Sequence, residues 1–433
     1  MSEYINNKEK RITGLLEFSM GMMEGKKGRE LIDKYQELIE NATPFDILEM
    51  EDRQLKKGIK PAAIKKHIEK ILNVIGPHLA KYPWEKPEKG HPVYSMMEEN
   101  RELERLLKEM KGPIKRIELE SRKEGSTVDI VAEMEKLRDY LGELKKFNKH
   151  YLKKENVLFP YLEQKWDYYR PLRVMWSIHD DIRKEWKVLE ELLKGNKGFN
   201  DELRRHFGVL FMLMFKMVFK EESILFPAAV ETLQEKEWAE IARHSAEIAY
   251  LFIEPENNSG YGVDGNSSDN CIGEGGISGR DFHSLEDISL KDEELGAGQV
   301  LLGLGTGVLN IEQLLLMMNS LPVDITYVDE DDRVKYYSNP ADRLFPRSPA
   351  IIGRSVQNCH PPESMHVVNR ILEAFKNDEK EKASFWIKMK ERFILIQYFA
   401  LRDNGGNYRG TLEVSQDITD IKKLEGEKRL LDF

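Results

Sequence analysis

Two stretches of this chain are near-copies of one another: His150-Tyr151-Leu152-Lys153-Lys154-Glu155-Asn156-Val157-Leu158-Phe159-Pro160 and Met217-Val218-Phe219-Lys220-Glu221-Glu222-Ser223-Ile224-Leu225-Phe226-Pro227. Each reads as the last turns of a helix, with apolar residues at helical spacing and a Leu-Phe-Pro ending. In both, an acidic residue lies five positions after the first residue. Facing helices that carry inward His and Glu are how a four-helix bundle builds a metal site, so the repeat poses a metal question. The second copy has Met217 where the first has His150.

The surrounding pattern supplies the rest of such a bundle. Helical periodicity runs over about 93–122, 127–164, 171–195 and 199–231, with short breaks at Gly125-Ser126-Thr127, Tyr169-Arg170-Pro171 and Gly195–Gly198. Short connections predict an antiparallel up-down bundle, here within 88–252 and capped by a short helix near 236–250. Before it, residues 1–80 read as an all-helical unit, broken at Gly25, Thr43-Pro44 and Gly58. Thr43 followed by Pro44 is a helix start with a mechanism: a side-chain N-cap and a first residue that needs no amide donor.

A 433-residue chain is expected to hold two to four domains. Its net charge of −10 argues against general nucleic-acid binding, which needs clustered Lys and Arg. Lys145-Lys146 and Lys153-Lys154 are read as solvated helix faces. No apolar run approaches the ~20 residues that span a bilayer, so no membrane partner and a cytoplasmic location are expected. Cys271 and Cys359 form no Cys-x-x-Cys pair, consistent with a reducing compartment.

Residues 254–298 are rich in Gly, Ser, Asn and Asp and read as a flexible linker, in which Cys271 and His283 are incidental. From about 305 to 420 the period becomes two. Val323–Val328, Val334–Tyr337, Ala383–Met389, Phe393–Leu401 and Tyr408–Gln416 read as strands, with short helix at Asp342–Phe345 and a longer helix near 364–376. Together they predict an α+β domain with a five-stranded antiparallel sheet. An amphipathic helix is expected over 420–433. The Gly-rich run Leu301–Gly307 lacks the alternating strands and helices of a nucleotide fold and is read as linker. A kinase-type Gly loop and a Gly-x-Ser-x-Gly elbow are absent from the sequence, so an enzyme is not the main reading.

In the bundle the residues that could converge are His91, Glu98 and Asn100, then His150 and Glu155, His179 and Asp180, and Glu221 and Glu222. Imidazole with carboxylate suits iron, manganese or zinc. On these residues and the repeated frame, about 90–250 resembles the hemerythrin-like, HHE cation-binding domains. Leu321–Glu330, Gly353–Pro362 and Gly410–Thr419 give 310–425 the look of a PAS sensor domain. The whole order resembles a prokaryotic family of uncharacterised function that joins a helical N-terminal unit to these two parts.

The resemblance implies metal ligands at His150, His179, Glu155 and Glu222, with His91 a further candidate. Asn100, Arg183 and Met217 stand where that pattern has His. Two readings follow: a bundle without metal, with Arg183 paired to Glu155 or Glu222, or an altered iron or other divalent-metal site built on His91, His150, His179 and the glutamates. For the PAS half the resemblance implies a cavity for heme, flavin or a small molecule. His360, His366 and Cys359 are its candidate binding residues; the alternative is a turn that starts the helix with exposed side chains. The expected role is a sensor of metal, oxygen, nitric oxide or redox state, with output to a protein partner or a homodimer through the PAS domain and C-terminal helix. The alternatives are a non-heme iron protein in oxidative or nitrosative stress or iron–sulfur repair, and a metal-free scaffold.

Overall fold

The computed structural model describes residues 2–120, 130–195, 199–247, 301–304, 306–389 and 391–427. The Gly-rich stretch 254–298 and residues 428–433 lie outside these. The chain forms two compact units, one drawn from 1–263 with 348–351 and 360–365, the other from 264–347, 352–359 and 366–433.

The first unit is helical throughout. Helices α1 (Ser2–Met23), α2 (Gly28–Glu40), α3 (Pro44–Lys56) and α4 (Pro61–Leu79) form its beginning. Gly25 and Gly58 adopt left-handed backbone at the breaks, where a side chain would be strained. At α3 the Thr43 hydroxyl accepts from the Asp46 amide at 3.2 Å and the Asp46 carboxylate accepts from the Thr43 amide at 2.9 Å. This reciprocal cap, with Pro44 first in the helix, is the start that the sequence predicts.

The bundle follows. Its first helix is α5 (Pro92–Glu120) and its third is α9 (Pro171–Lys194). The second is composite: α6 (Ile130–Lys146), α7 (Asn148–Lys153), a π-helical turn over Lys154–Leu158, and α8 (Phe159–Lys165). The fourth is built alike: α10 (Asp201–Lys220), a π turn over Glu221–Leu225, and α11 (Phe226–Thr232), with α12 (Glu235–Glu247) after it. The prolines explain both π turns. A proline inside a helix clashes with the carbonyl four residues back. Those residues are Asn156 for Pro160 and Ser223 for Pro227, each inside the widened turn. Leu107, Leu144, Leu158, Phe159, Ile182, Leu210, Met214, Leu225 and Phe226 fill the core.

The second unit carries an antiparallel hairpin, β1 (Leu301–Gly303) with β2 (Val308–Asn310), where the sequence reading had linker. Helix α13 (Ile311–Ser320) starts on an Asn310–Gln313 capping box. A five-stranded antiparallel sheet, as expected, has the order β4-β3-β7-β6-β5. Its strands are β3 (Asp324–Val328), β4 (Val334–Tyr337), β5 (Lys382–Met389), β6 (Arg392–Arg402) and β7 (Tyr408–Asp417), with α14 (Met365–Lys376) before β5. Asp342–Phe345 is not helical; flanking Pro340 and Pro346 restrict that short segment. From the expected C-terminal helix the described residues show one 3-10 turn, Ile421–Lys423. Among the described residues no helix is long and apolar enough to cross a membrane.

Candidate metal centre of the bundle

The π turns decide which side chains reach the bundle centre. Widened, i to i+5 bonded turns bring positions four and five after His150 onto its face, so Lys154 and Glu155 both enter the core. Lys153 and Lys154 are 1% and 0% exposed, which overturns their reading as a solvated face; Lys145 and Lys146, eight residues earlier, are exposed. Long amines are buried only when paired, and each lysine has a carboxylate.

His150 stands between two of these acids. Its Nδ1 lies 2.7 Å from Glu99 Oε2 and its Nε2 lies 2.9 Å from Glu221 Oε2. Glu99 also accepts from Lys153 Nζ at 2.5 Å. Glu221 accepts from Lys154 Nζ and, at 3.0 Å, from Asn100 Nδ2. Burial pushes the Glu99 carboxyl up, but His150 and Lys153 outweigh it and hold the group down to about 2. Removal from water pushes His150 down to about 3.

A second cluster adjoins. His179 Nδ1 lies 2.8 Å from Glu155 Oε1, and Arg183 Nη2 donates to Glu155 Oε2 at 2.9 Å. Arg183 also reaches Asp180 Oδ1 at 2.9 Å and Asn148 Oδ1 at 2.7 Å. The Arg183–Glu155 pair is the one the metal-free reading expects. Burial pushes the Glu155 carboxyl up to about 7 against the pull of Arg183. Tyr151 stacks on His179 at 4.3 Å between ring centres, and Phe147 on His150 at 4.4 Å. At the base of the fourth helix, Lys220 Nζ donates to Glu51 at 2.8 and 3.0 Å, tying α3 to the bundle.

Of the five predicted metal ligands, His150, Glu155 and His179 lie in this centre and two do not. His91 precedes α5, accepts from the Val93 amide at 3.1 Å and packs on Trp238 at 4.5 Å; burial pushes it down to about 4. The carboxylate entering from the fourth helix is Glu221, since it lies four residues after Met217 on the inward face. Glu222 is half-buried and lines a cleft of about 260 Å³ with Trp84 and Met97. Sequence reasoning missed Glu99, Lys153 and Lys154. The available signal was the repeat itself, which aligns Lys154 with Glu221, opposite charges at one position.

The donor set does not fit a metal ion. Both His150 nitrogens and every oxygen named above on Glu99, Glu155 and Glu221 already have an internal partner. His179 Nε2 is buried without one, and a single nitrogen cannot hold a cation that takes four or more ligands. Among the described residues no group of three His, Cys, Asp or Glu is placed to hold a metal.

In the second unit, Cys359 is half-buried with Sγ 3.7 Å from the Ser355 carbonyl oxygen, and His366 is exposed on α14. His360 is half-buried. The more buried face of the sheet is polar along its centre. Glu413 of β7 sits between Thr326 of β3 and Tyr398 of β6 in register, flanked by Asp324 and Ser415. Arg343 and Arg347 bring positive charge to this face, with Arg347 close enough to act on both Tyr398 and Arg343, and Glu413 close enough to act on Arg343. Arg347 Nε is buried without a hydrogen-bond partner, as is Tyr336 Oη on the opposite face, where Tyr336 pairs with Tyr327.

A helical bundle with a carboxylate–imidazole centre, in one chain with a five-stranded antiparallel sheet flanked by short helices, defines a two-module protein. Residues 91–229 match the hemerythrin HHE cation binding domain and residues 314–419 match a PAS domain, so the chain joins these two domains. The crystal structure of a C-terminal domain from Streptococcus mutans is similar, at 34% identity over 29% of this chain and 97% of that one, with a TM-score of 0.28. The PAS domain of a protein from Colwellia psychrerythraea is similar at 19% identity, over 25% of this chain and 98% of that one, with a TM-score of 0.21. A sensory box sensor histidine kinase from Vibrio cholerae is similar at 14% identity, over 25% of this chain and 92% of that one, with a TM-score of 0.20. No curated protein matches the chain.

Proposed function

We propose that this protein is a cytoplasmic sensor whose signal enters through the PAS domain and leaves through contacts with a protein partner or a second copy. The observation that carries the reading is the polar, incompletely satisfied interior of the PAS sheet. Buried polar groups without partners are costly and ordinarily meet a ligand or water. Arg347 Nε is such a group, and the nearby Arg343 guanidinium is pushed down by burial. This chemistry favours a small carboxylate-bearing molecule, which Arg347 would hold by charge-assisted hydrogen bonds. It does not favour heme, for which His366 is exposed and Cys359 bonds within its own turn. The bundle is then a charge-paired helical support, and no catalytic constellation has to be invoked.

The reading is tested on the full chain by thermal unfolding against a panel of small carboxylates and amino acids. A binder present at a hundredfold excess over its Kd stabilises by about 2.7 kcal/mol, a shift of several degrees. The shift is expected to vanish in Arg347→Met. A panel that moves nothing, or a shift that Arg347→Met leaves intact, sinks the proposal.

A further inference from the structure

The acids that enter the bundle each meet a cation of their own: Glu51 has Lys220, Glu99 has Lys153, Glu155 has Arg183 and Glu221 has Lys154. Glu222 departs from this rule. It follows Glu221 in the same π turn but lines the cleft of about 260 Å³ instead of the core. A neutral Asn100 amide reaches it, and among the described residues no cation stands within ion-pairing distance. A half-buried carboxylate left with a neutral donor is costly, which favours a positive charge in the cleft.

The rest of the wall selects the kind of cation. Ser223, 9% exposed, follows Glu222 and adds a hydroxyl, while Trp84, Met97 and Leu79 supply apolar surface. One carboxylate and one hydroxyl are too few donors for a metal ion, and an anion would be repelled by Glu222. An alkylammonium suits both parts of the wall, because its N–H groups need acceptors, its chain needs apolar cover, and an indole attracts a cation. Lys86, exposed on the same wall, disfavours a ligand with two positive charges. We propose that this cleft binds a small primary monoamine, with Glu222 and Ser223 holding the ammonium and Trp84, Met97 and Leu79 covering the alkyl chain.

The test is saturation-transfer NMR on the full chain with n-butylammonium chloride at fixed ionic strength, compared with n-butanol, butyrate and the diamine of the same length. Wild type is expected to bind butylammonium with a Kd of about 1 mM, the diamine severalfold more weakly, and the other two not at all. Glu222→Gln forfeits no ion pair, so it is expected to fold as wild type does and to weaken butylammonium by about tenfold or more. Trp84→Leu should weaken it about threefold. The proposal is overturned if butylammonium does not saturate, if n-butanol or butyrate binds as well, or if folded Glu222→Gln leaves the Kd unchanged. Binding that appears in Lys86→Met and is missing from wild type also overturns it, because Lys86 is then the occupant of the cleft. Should Glu222→Gln not fold, the double variant Ser223→Ala with Trp84→Leu decides: an unchanged Kd overturns the proposal, and a loss of about tenfold supports it.

Discussion

Lys153, Lys154 and Lys220 end in the interior on Glu99, Glu221 and Glu51. Such pairs offer little net stability, because desolvation consumes most of the Coulomb gain, yet removing one partner strands the other. Lys220→Met is therefore expected to destabilise the helical unit by about 3–5 kcal/mol in urea unfolding. Adding Glu51→Leu should recover most of that loss, and a double variant no better than the single one would refute the pairing. The protons of the centre set its acid response. His150 is lowered to about 3, so between there and its ordinary value the unfolded chain binds more protons, and stability is lost as the pH falls. Glu99, lowered to about 2, acts the same way below its ordinary 4.5. Glu155, raised to about 7, opposes this by binding its proton in the folded state first. Urea midpoints should thus fall as pH drops from about 6 to 3, and Glu99→Gln should flatten the lower part of that slope.

The elements were largely legible where one periodicity governed them. The Leu15, Phe18, Ile64, Ile68 and Ile71 spacing gives helices because each residue is buried on one face. The alternation from Val323 to Gln416 gives strands for the matching reason. The π turns were not legible, since they insert a widened register that a 3.6-residue rule cannot represent. Lys153-Lys154 misled for another reason: a charged pair is ordinarily solvated, and only Glu99 and Glu221 from other helices make burial tolerable. In the sheet, the Gly410 of the sequence motif has a structural cause. Its φ is +135°, and a Cβ there would lie 2.2 Å from the Val328 carbonyl oxygen. Gly410→Ala is expected to cost more than about 2 kcal/mol and to strip hydrogen-exchange protection from β3 and β7 first. Unchanged protection in those strands would show that the backbone accommodates a side chain.

For the molecule, exposed apolar surface in the second unit bears on the partner. Helix α13 buries none of its residues, and Ile311, Leu315, Leu316 and Met317 are exposed, as is Trp386 on the edge strand β5. Contiguous apolar surface of this kind marks association sites. A second copy is the expected occupant under the proposed function, so Leu316→Glu with Met317→Glu should shift sedimentation from dimer to monomer. A wild type that sediments as a monomer at high concentration would remove this output route. The repeated helix ends also constrain which substitutions the core accepts. At one repeat position the first copy now supplies an amine and the second a carboxylate, and each is tolerable only opposite the other. Lys154→Glu alone would set two acids against one another in the core, and Glu221→Lys alone would set two amines. Either single change is expected to cost several kcal/mol, so the two repeats tolerate exchange at this position only together: the amine of one and the carboxylate of the other form a single unit.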